Sequence, residues 1–144
     1  MKKNTIKGRI LINTDVEGAA LISKKSFMFA HGINPKSGKI VDKKSDIFGK
    51  NMKDKIFVFP NGKGSTTGSM WFLEAIRTDN APVGIVNQET EMIIATGAIL
   101  GDLLYQKKIA IIDNIDMSSL AKITEGSVIK ISGSESSIKY NIDR

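Results

Sequence analysis

The sequence contains no cysteine and only one histidine, His31. Without cysteine, the chain alone can form neither a disulfide nor a zinc ribbon nor a cysteine-ligated iron–sulfur cluster. A single histidine also argues against a zinc site made only of this chain's side chains. We therefore expect no metal ligands among its site residues, and any chemistry that needs a metal must use one held by a partner.

Long apolar runs are also missing. No stretch approaches the roughly 18 apolar residues that a membrane span needs, and Lys2 and Lys3 are not followed by the apolar segment of a secretory signal. We therefore expect a cytoplasmic protein without membrane contact. Its 144 residues predict a single domain over 1–144, and the 41% hydrophobic and 25% charged residues are typical of a soluble globular protein.

Aromatic residues are scarce, at 6% of the chain, although the net charge is +6. Such a charge suits nucleic acid, an anionic substrate or an acidic partner surface. The lysine pairs are scattered, however, and are not interleaved with aromatic side chains as a platform for stacking bases would require. We therefore expect no nucleic-acid partner, and we retain a small anionic substrate and an acidic protein surface.

The chain does contain β patterning in its first half and strand–helix units in its middle. Apolar runs predict a strand at 6–13 that breaks at 13–18, further strands at 19–29, 55–59, 81–86 and 108–113, and a hairpin within 126–142. An apolar stripe predicts a helix over 69–76, while 92–105 combines a strand-like opening with a helix from about Ala95. The predicted fold class is α/β, with a mixed β core and two main helices.

The segment "GKGSTTGS" joins the predicted strand at 55–59 to the following helix. It is not a P-loop, because Lys63 is followed by Gly64 and the upstream glycine is replaced by Phe57. A glycine-rich turn that opens a helix nevertheless presents unpaired N–H groups and the positive end of the dipole. Ser65 or Thr66 in that field suits an activated hydroxyl. The alternative is that Ser65 only caps the helix and the glycines only serve the turn.

Two other groups of polar residues have an ordinary structural interpretation. His31 lies in a long turn predicted at 30–42, where it is either a solvated loop residue or a contact to a substrate. The carboxylates within "NQETEM" (87–92) lie between a strand and a helix, and we interpret them as acids of the turn and of the helix start.

Four stretches together resemble a known family, the small swivel-domain subunit of aconitase-X-type dehydratases. They are "SFMFAHGINPKSGKIVD" (26–42), "KIFVFPNGKGSTTGS" (55–69), "APVGIVNQETEMIIATGAILGDLLY" (81–105) and "KKIAIID" (107–113). Their order is that of the family, and the second with the third is specific. One departure concerns the first stretch, where Ala30 and His31 stand in place of the family's two glycines.

The resemblance implies a swivelling β/β/α domain that works with a larger subunit as a heterodimer. An iron–sulfur cluster or mononuclear iron in the large subunit acts as Lewis acid on the departing hydroxyl. By motif position, Ser65 is the general base. The implied substrate-binding residues surround it: Gly62, Lys63, Gly64, Thr66, His31 and Gly32.

The resemblance leaves two hydroxy acids as possible substrates. One branch of the family dehydrates (R)-mevalonate 5-phosphate to the trans-anhydro acid in an archaeal-type isoprenoid route, and the other dehydrates cis-3-hydroxy-L-proline. The form "GKGST" with "IVNQETEMIIATGAI" favours the mevalonate branch. A third possibility is a non-catalytic binding module that kept the swivel fold, because the residues at 30–31 differ from the family pattern.

Overall fold

The computed structural model describes residues 3–141, which contain eight strands and three helices. The strands are β1 (Lys3–Lys7), β2 (Arg9–Ile12), β3 (Val16–Ile22), β4 (Ile56–Asn61), β5 (Gly84–Glu89), β6 (Ala110–Asp113), β7 (Val128–Ser132) and β8 (Ser137–Asn141). The helices are α1 (Thr67–Arg77), α2 (Met92–Tyr105) and α3 (Met117–Leu120). No helix within 3–141 is both long enough and apolar enough to span a membrane.

The strands form one mixed sheet in the order β1-β8-β7-β3-β4-β5-β6-β2. Strands β3 to β6 run parallel to one another, and the other pairs are antiparallel. Only Gly8 separates β1 from β2, yet these strands lie at opposite ends of the order. The sheet therefore closes on itself. A Cβ on Gly8 would lie 2.7 Å from the carbonyl oxygen of Asp113, so the residue at this closure must be small.

Side chains alternate along β4 between two separate hydrophobic cores. Ile56 and Val58 point into the closed sheet, where they join apolar residues of β5, β6, β7 and β8. Phe57 and Phe59 point outward to the layer formed by α1 and α2. Both phenylalanines are fully buried, and such burial stabilises a fold by about 1.5–3 kcal/mol per side chain. The result is a β/β/α arrangement, which confirms the predicted fold class.

Helices α1 and α2 pack closely because glycines face the contact. An ideal Cβ on Gly97 would lie 3.0 Å from a ring carbon of Phe72, and one on Gly101 would lie 2.9 Å from Cγ2 of Ile76. The adjoining face of α2 buries Ile94 and Ala98 in the core beneath the helices. This packing fixes both helices on the parallel strands, with the loops that precede them at one edge of the sheet.

Several predicted boundaries are wrong in instructive ways. The strand at 6–13 is interrupted at Gly8, and β3 begins at Val16, inside the expected break, and ends at Ile22. The strand-like opening of 92–105 is helical from Met92 onward. The β7–β8 hairpin is confirmed, although Ile142 lies outside the described residues.

Candidate functional site

The parallel strands end together at one edge of the sheet. Strand β4 ends at Asn61, β5 at Glu89 and β6 at Asp113, and α1 and α2 begin immediately beyond the first two. The N-termini of α1 and α2 point to this edge, and helix N-termini favour the binding of anions. The candidate site consists of the turn 62–66, before α1, and the loop 27–32, which packs beside it.

The turn 62–66 is held by its backbone and leaves several N–H groups free. Lys63 N donates to the carbonyl oxygen of Phe27 at 3.0 Å. The carbonyl oxygens of Ser65 and Thr66 accept from the N–H groups of Gly68 and Ser69, at 2.9 Å and 3.1 Å. Among the described residues, no acceptor faces the N–H groups of Gly64, Ser65 and Thr66. These donors lie at the positive end of α1, so the turn favours an anion.

Ser65 does not cap the helix. The N-cap residue of α1 is Thr66, with φ −58° and ψ −20°, and its side chain makes no capping hydrogen bond. The interpretation of Ser65 as the N-cap is therefore wrong. The side chains from Lys63 to Thr67 are all exposed, and within 3–141 no side chain or backbone group hydrogen-bonds the Ser65 hydroxyl. That hydroxyl is free to meet a ligand.

The two turn glycines leave room for close contacts, and Gly64 also has a positive φ. Gly64 has φ +106°, and an ideal Cβ there would lie 2.8 Å from Cγ of Met28. A Cβ on Gly62 would lie 2.3 Å from a carboxylate oxygen of Glu91. The glycines thus let the turn lie against the loop 27–32 on one side and the start of α2 on the other. The idea that they serve the turn is correct, and it does not exclude a role of the same backbone in binding.

Glu91 is the helix-start acid at the beginning of α2. Its carboxylate accepts hydrogen bonds from Ile93 N at 2.6 Å and from Ile94 N at 3.2 Å. This capping confirms the interpretation made from the sequence for Glu91, whereas Glu89 is the last residue of β5. Because the same carboxylate abuts Gly62, it also adds a fixed negative group beside the turn, which sequence patterning did not reveal.

The loop 27–32 is tied to the turn by backbone hydrogen bonds and anchored by aromatic rings. Phe27 N donates to the carbonyl oxygen of Asn61 at 3.0 Å. The ring of Phe29 stacks on Phe72 of α1, with centroids 4.6 Å apart. Gly32 is buried, and a Cβ on it would lie 1.9 Å from the carbonyl oxygen of Met28, so this position shapes the loop. The structure thus brings together the two stretches that carry the predicted site residues.

His31 is exposed and has a left-handed backbone conformation, with φ +60°. This is a conformation that glycine adopts without strain and that costs other residues roughly 1–2 kcal/mol. The imidazole lies against Trp71 of α1, with ring centroids 4.7 Å apart. The indole therefore fixes the His31 ring at the rim of the candidate site. Trp71 was not singled out in the sequence, because the apolar stripe of α1 gave it no distinguishing role.

A polar cluster around the buried carboxylate of Asp113 supports the edge beside α2 and was also missed. Arg9 Nε donates to Asp113 Oδ1 at 2.9 Å, and Arg9 Nη2 donates to Oδ2 at 3.0 Å. These hydrogen bonds, together with the negative charge of Asp113, raise the pKa of Arg9. Asp113 Oδ2 also accepts from Thr90 N at 3.0 Å, and Thr90 Oγ1 donates to Asn87 Oδ1 at 2.8 Å. The cluster fixes the segment that leads to Glu91.

Within the part of the chain that the structure describes, these residues belong neither to a metal-binding cluster nor to the apolar cavity beside Pro60. In the described part of the chain, no three His, Asp or Glu side chains are grouped to hold a metal ion. An apolar cavity of about 660 Å³ opens beside Pro60 and is lined in part by Leu120 and Ile123, but by none of the predicted site residues. The candidate site is thus an exposed surface that carries the hydroxyls of Ser65 and Thr66, backbone donors and Lys63.

Comparisons with known proteins agree with this geometry. The sequence profile of the aconitase X swivel domain matches residues 5–140. The phosphomevalonate dehydratase small subunit of Thermococcus sibiricus is 43% identical over 126 residues, covering 88% of this chain and 90% of that protein. The subunit of the same name from Methanocaldococcus jannaschii is 41% identical over 134 residues, covering 93% of this chain and 95% of that protein.

Solved structures show the same architecture. A chain of the crystal structure of Thermococcus kodakaraensis aconitase X in its holo-form superposes with a TM-score of 0.85 at 33% identity, covering 96% of this chain and 98% of that chain. A UPF0107 protein solved by NMR in solution superposes with a TM-score of 0.82 at 28% identity, covering 98% of this chain and all of that chain. The chain therefore belongs to the aconitase X swivel domain family.

Proposed function

We propose that this chain is the small subunit of a phosphomevalonate dehydratase, a two-subunit hydro-lyase that removes water from (R)-mevalonate 5-phosphate. The observation that carries the proposal is the 43% identity to a phosphomevalonate dehydratase small subunit over nine-tenths of that protein. The exposed turn 62–66 supports it, since its free N–H groups and Lys63 suit a substrate that carries a carboxylate and a phosphate. The product is the trans-anhydro acid of an archaeal-type isoprenoid route.

In this proposal Ser65 is the general base. Its Oγ, as the alkoxide, takes the proton from the carbon next to the substrate carboxylate, the electrons of that C–H bond form the C=C bond, and the C–O bond on the next carbon breaks. The departing hydroxide and the proton taken by Ser65 together make the released water, and the alkoxide is restored. A serine hydroxyl has too high a pKa to do this unaided. The positive end of α1 and the ammonium group of Lys63 would stabilise both the alkoxide and the negative charge that develops on the substrate.

The remaining predicted residues would bind the substrate around Ser65. Gly62, Gly64 and Thr66 would contribute the backbone of the turn, and Gly32 the backbone of the neighbouring loop. His31, held against Trp71, would add a polar side chain at the rim where the family pattern has glycine. This difference makes His31 the residue among them that we expect to adjust substrate preference.

The metal would belong to the large subunit. This chain has no cysteine, and its described residues do not form a metal-binding cluster, so it does not fit an iron–sulfur cluster or an iron ion of its own. An iron centre held by the large subunit would supply Lewis-acid assistance to the departing hydroxyl. We propose a cytoplasmic heterodimer, formed by this single domain and the large subunit, without nucleic acid or membrane.

The test is the activity of the two recombinant subunits of the source organism, purified together without oxygen. We expect the complex to dehydrate (R)-mevalonate 5-phosphate, with the anhydro acid identified by mass spectrometry, and each subunit alone to be inactive. Activity on cis-3-hydroxy-L-proline instead would assign the chain to the other branch of the family. A stable complex that acts on neither acid would point to a non-catalytic module.

A further inference from the structure

The outer face of α2 is largely apolar although it faces solvent, and Thr96 is the exposed polar residue between Met92 and Ile99. Met92, Ile99 and Leu103 are 80%, 50% and 68% exposed, and Leu104 beside them is 56% exposed. The first three lie seven and four positions apart and so share one side of the helix, along about 16 Å. An exposed stripe of this kind on a globular domain marks a surface that another molecule covers.

The fold itself does not need this stripe. The sides of α2 that stabilise the domain are those that bury Ile94 and Ala98 on the sheet and bring Gly97 and Gly101 against α1. A surface helix whose inner sides are already satisfied normally has a polar outer face. A partner that covers the outer face of α2 would account for this difference.

The stripe begins at the candidate site. Met92 directly follows Glu91, whose carboxylate abuts Gly62 of the turn 62–66. The first turns of the two helices touch there as well, since an ideal Cβ on Gly68 would lie 3.1 Å from Cγ2 of Ile93. A partner that supplies the missing half of the site must approach the turn, and from there it reaches the start of the stripe.

We propose that the outer face of α2, made of Met92, Ile99, Leu103 and Leu104, binds the large subunit of the same enzyme. The proposal rests on the function proposed above. A second copy of this chain is a poorer occupant, because a copy seated on Met92 would cover the exposed turn without adding a metal or a second half-site. The stripe alone is smaller than the roughly 800 Å² per partner of a standard interface. It would form the apolar centre, with the turn and the loop 27–32 at its polar rim.

The test is a direct measurement of affinity between this full chain and the recombinant large subunit of the source organism. Leu103→Glu and Ile99→Glu each place a charge in the proposed contact, and each should weaken binding by about 30-fold or more, as expected at the centre of an interface. Val128→Glu is the matched control. Val128 is 43% exposed on β7, in the antiparallel layer, and its replacement should change the Kd by less than about threefold.

The possible outcomes are distinct. If both α2 variants keep the wild-type thermal midpoint and bind as tightly as the wild type, the proposed surface is wrong. If they abolish self-association of the chain while large-subunit binding is unchanged, the occupant is a second copy and the proposal fails. If the wild type does not bind the large subunit, this inference and the proposed function fail together. If binding depends on α2 but the complex does not dehydrate (R)-mevalonate 5-phosphate, only the proposed function fails.

Discussion

Replacing Gly64 with alanine tests directly how the turn 62–66 is packed. Gly64 has φ +106°, and the added Cβ would lie 2.8 Å from Cγ and 2.9 Å from Sδ of Met28. Both distances are shorter than carbon and sulfur atoms tolerate without displacement. The substitution therefore imposes an unfavourable backbone conformation and a collision at the same time.

The two costs can be estimated separately. An L-residue with this backbone conformation costs about 1–2 kcal/mol. Overpacking typically costs about 1–3 kcal/mol, and the flexible methionine places this contact at the lower end. We therefore expect Gly64→Ala to lower the free energy of unfolding by about 2–3 kcal/mol. Gly49 provides the control, because its φ is +84° and no atom lies within 4 Å of an added Cβ. Gly49→Ala should cost only about 1–2 kcal/mol.

Urea denaturation of the purified chain, followed by circular dichroism, measures both variants. The double variant Met28→Ala with Gly64→Ala should lose less than the sum of the two single losses, because the collision disappears once the methionine side chain is removed. Equal losses for Gly64→Ala and Gly49→Ala, or strictly additive losses in the double variant, would refute the packing of Met28 on the turn.

Three further predictions concern the surroundings of the site. His31→Gly should shift the fluorescence emission of Trp71, the only tryptophan, to longer wavelength, because the indole loses the imidazole that covers it. The free energy of unfolding should change by less than about 1 kcal/mol, because glycine relieves the left-handed strain. Unchanged emission would contradict the contact between the two rings. Glu91→Ala should lower the free energy of unfolding by about 1 kcal/mol in urea, and Glu91→Ser should restore most of it; no loss in the alanine variant would contradict the cap. Asp116 is the N-cap residue of α3, and hydrogen bonds from Ser118 and Ser119 lower its pKa below the ordinary value of 3.8. Asp116→Ala should therefore reduce stability at neutral pH, and the difference from wild type should vanish as the pH falls through the lowered pKa; a constant difference down to pH 2 would argue against this cap.

Local patterns predicted the elements that depend on neighbours in sequence. We predicted β4 followed by α1 from the apolar run at 55–59, the glycine-rich turn and the apolar stripe beyond it. We predicted the β7–β8 hairpin from the alternating runs around Gly133. In α1 and in the hairpin the periodicity of the side chains determines which face is buried, whereas β4 is a continuous apolar run buried on both faces. The order of the motifs indicated the family, and the match of the aconitase X swivel domain profile to residues 5–140 confirms it.

Features that depend on distant parts of the chain were not predictable from these patterns. To predict that the sheet closes at Gly8, one must know that β1 and β2 pair with strands far along the chain. Arg9 and Asp113 lie 104 positions apart, so nothing local pairs them. The β-branched residues after Met92 suggested a strand, whereas the Glu91 cap and the contact with α1 make this segment helical. The chemical roles of the site residues stay predictions, because they depend on a substrate and a second subunit.

The most direct test of the account is the kcat of the assembled dehydratase with Ser65→Ala, compared with Thr67→Ala. Both hydroxyls are exposed at the start of α1, and only that of Ser65 is proposed to take a proton. We expect Ser65→Ala to lower kcat by about 10²–10⁴-fold with unchanged large-subunit binding, and Thr67→Ala to lower it by less than about threefold. Wild-type turnover in the Ser65→Ala enzyme would contradict the assignment of this turn as the source of the catalytic base.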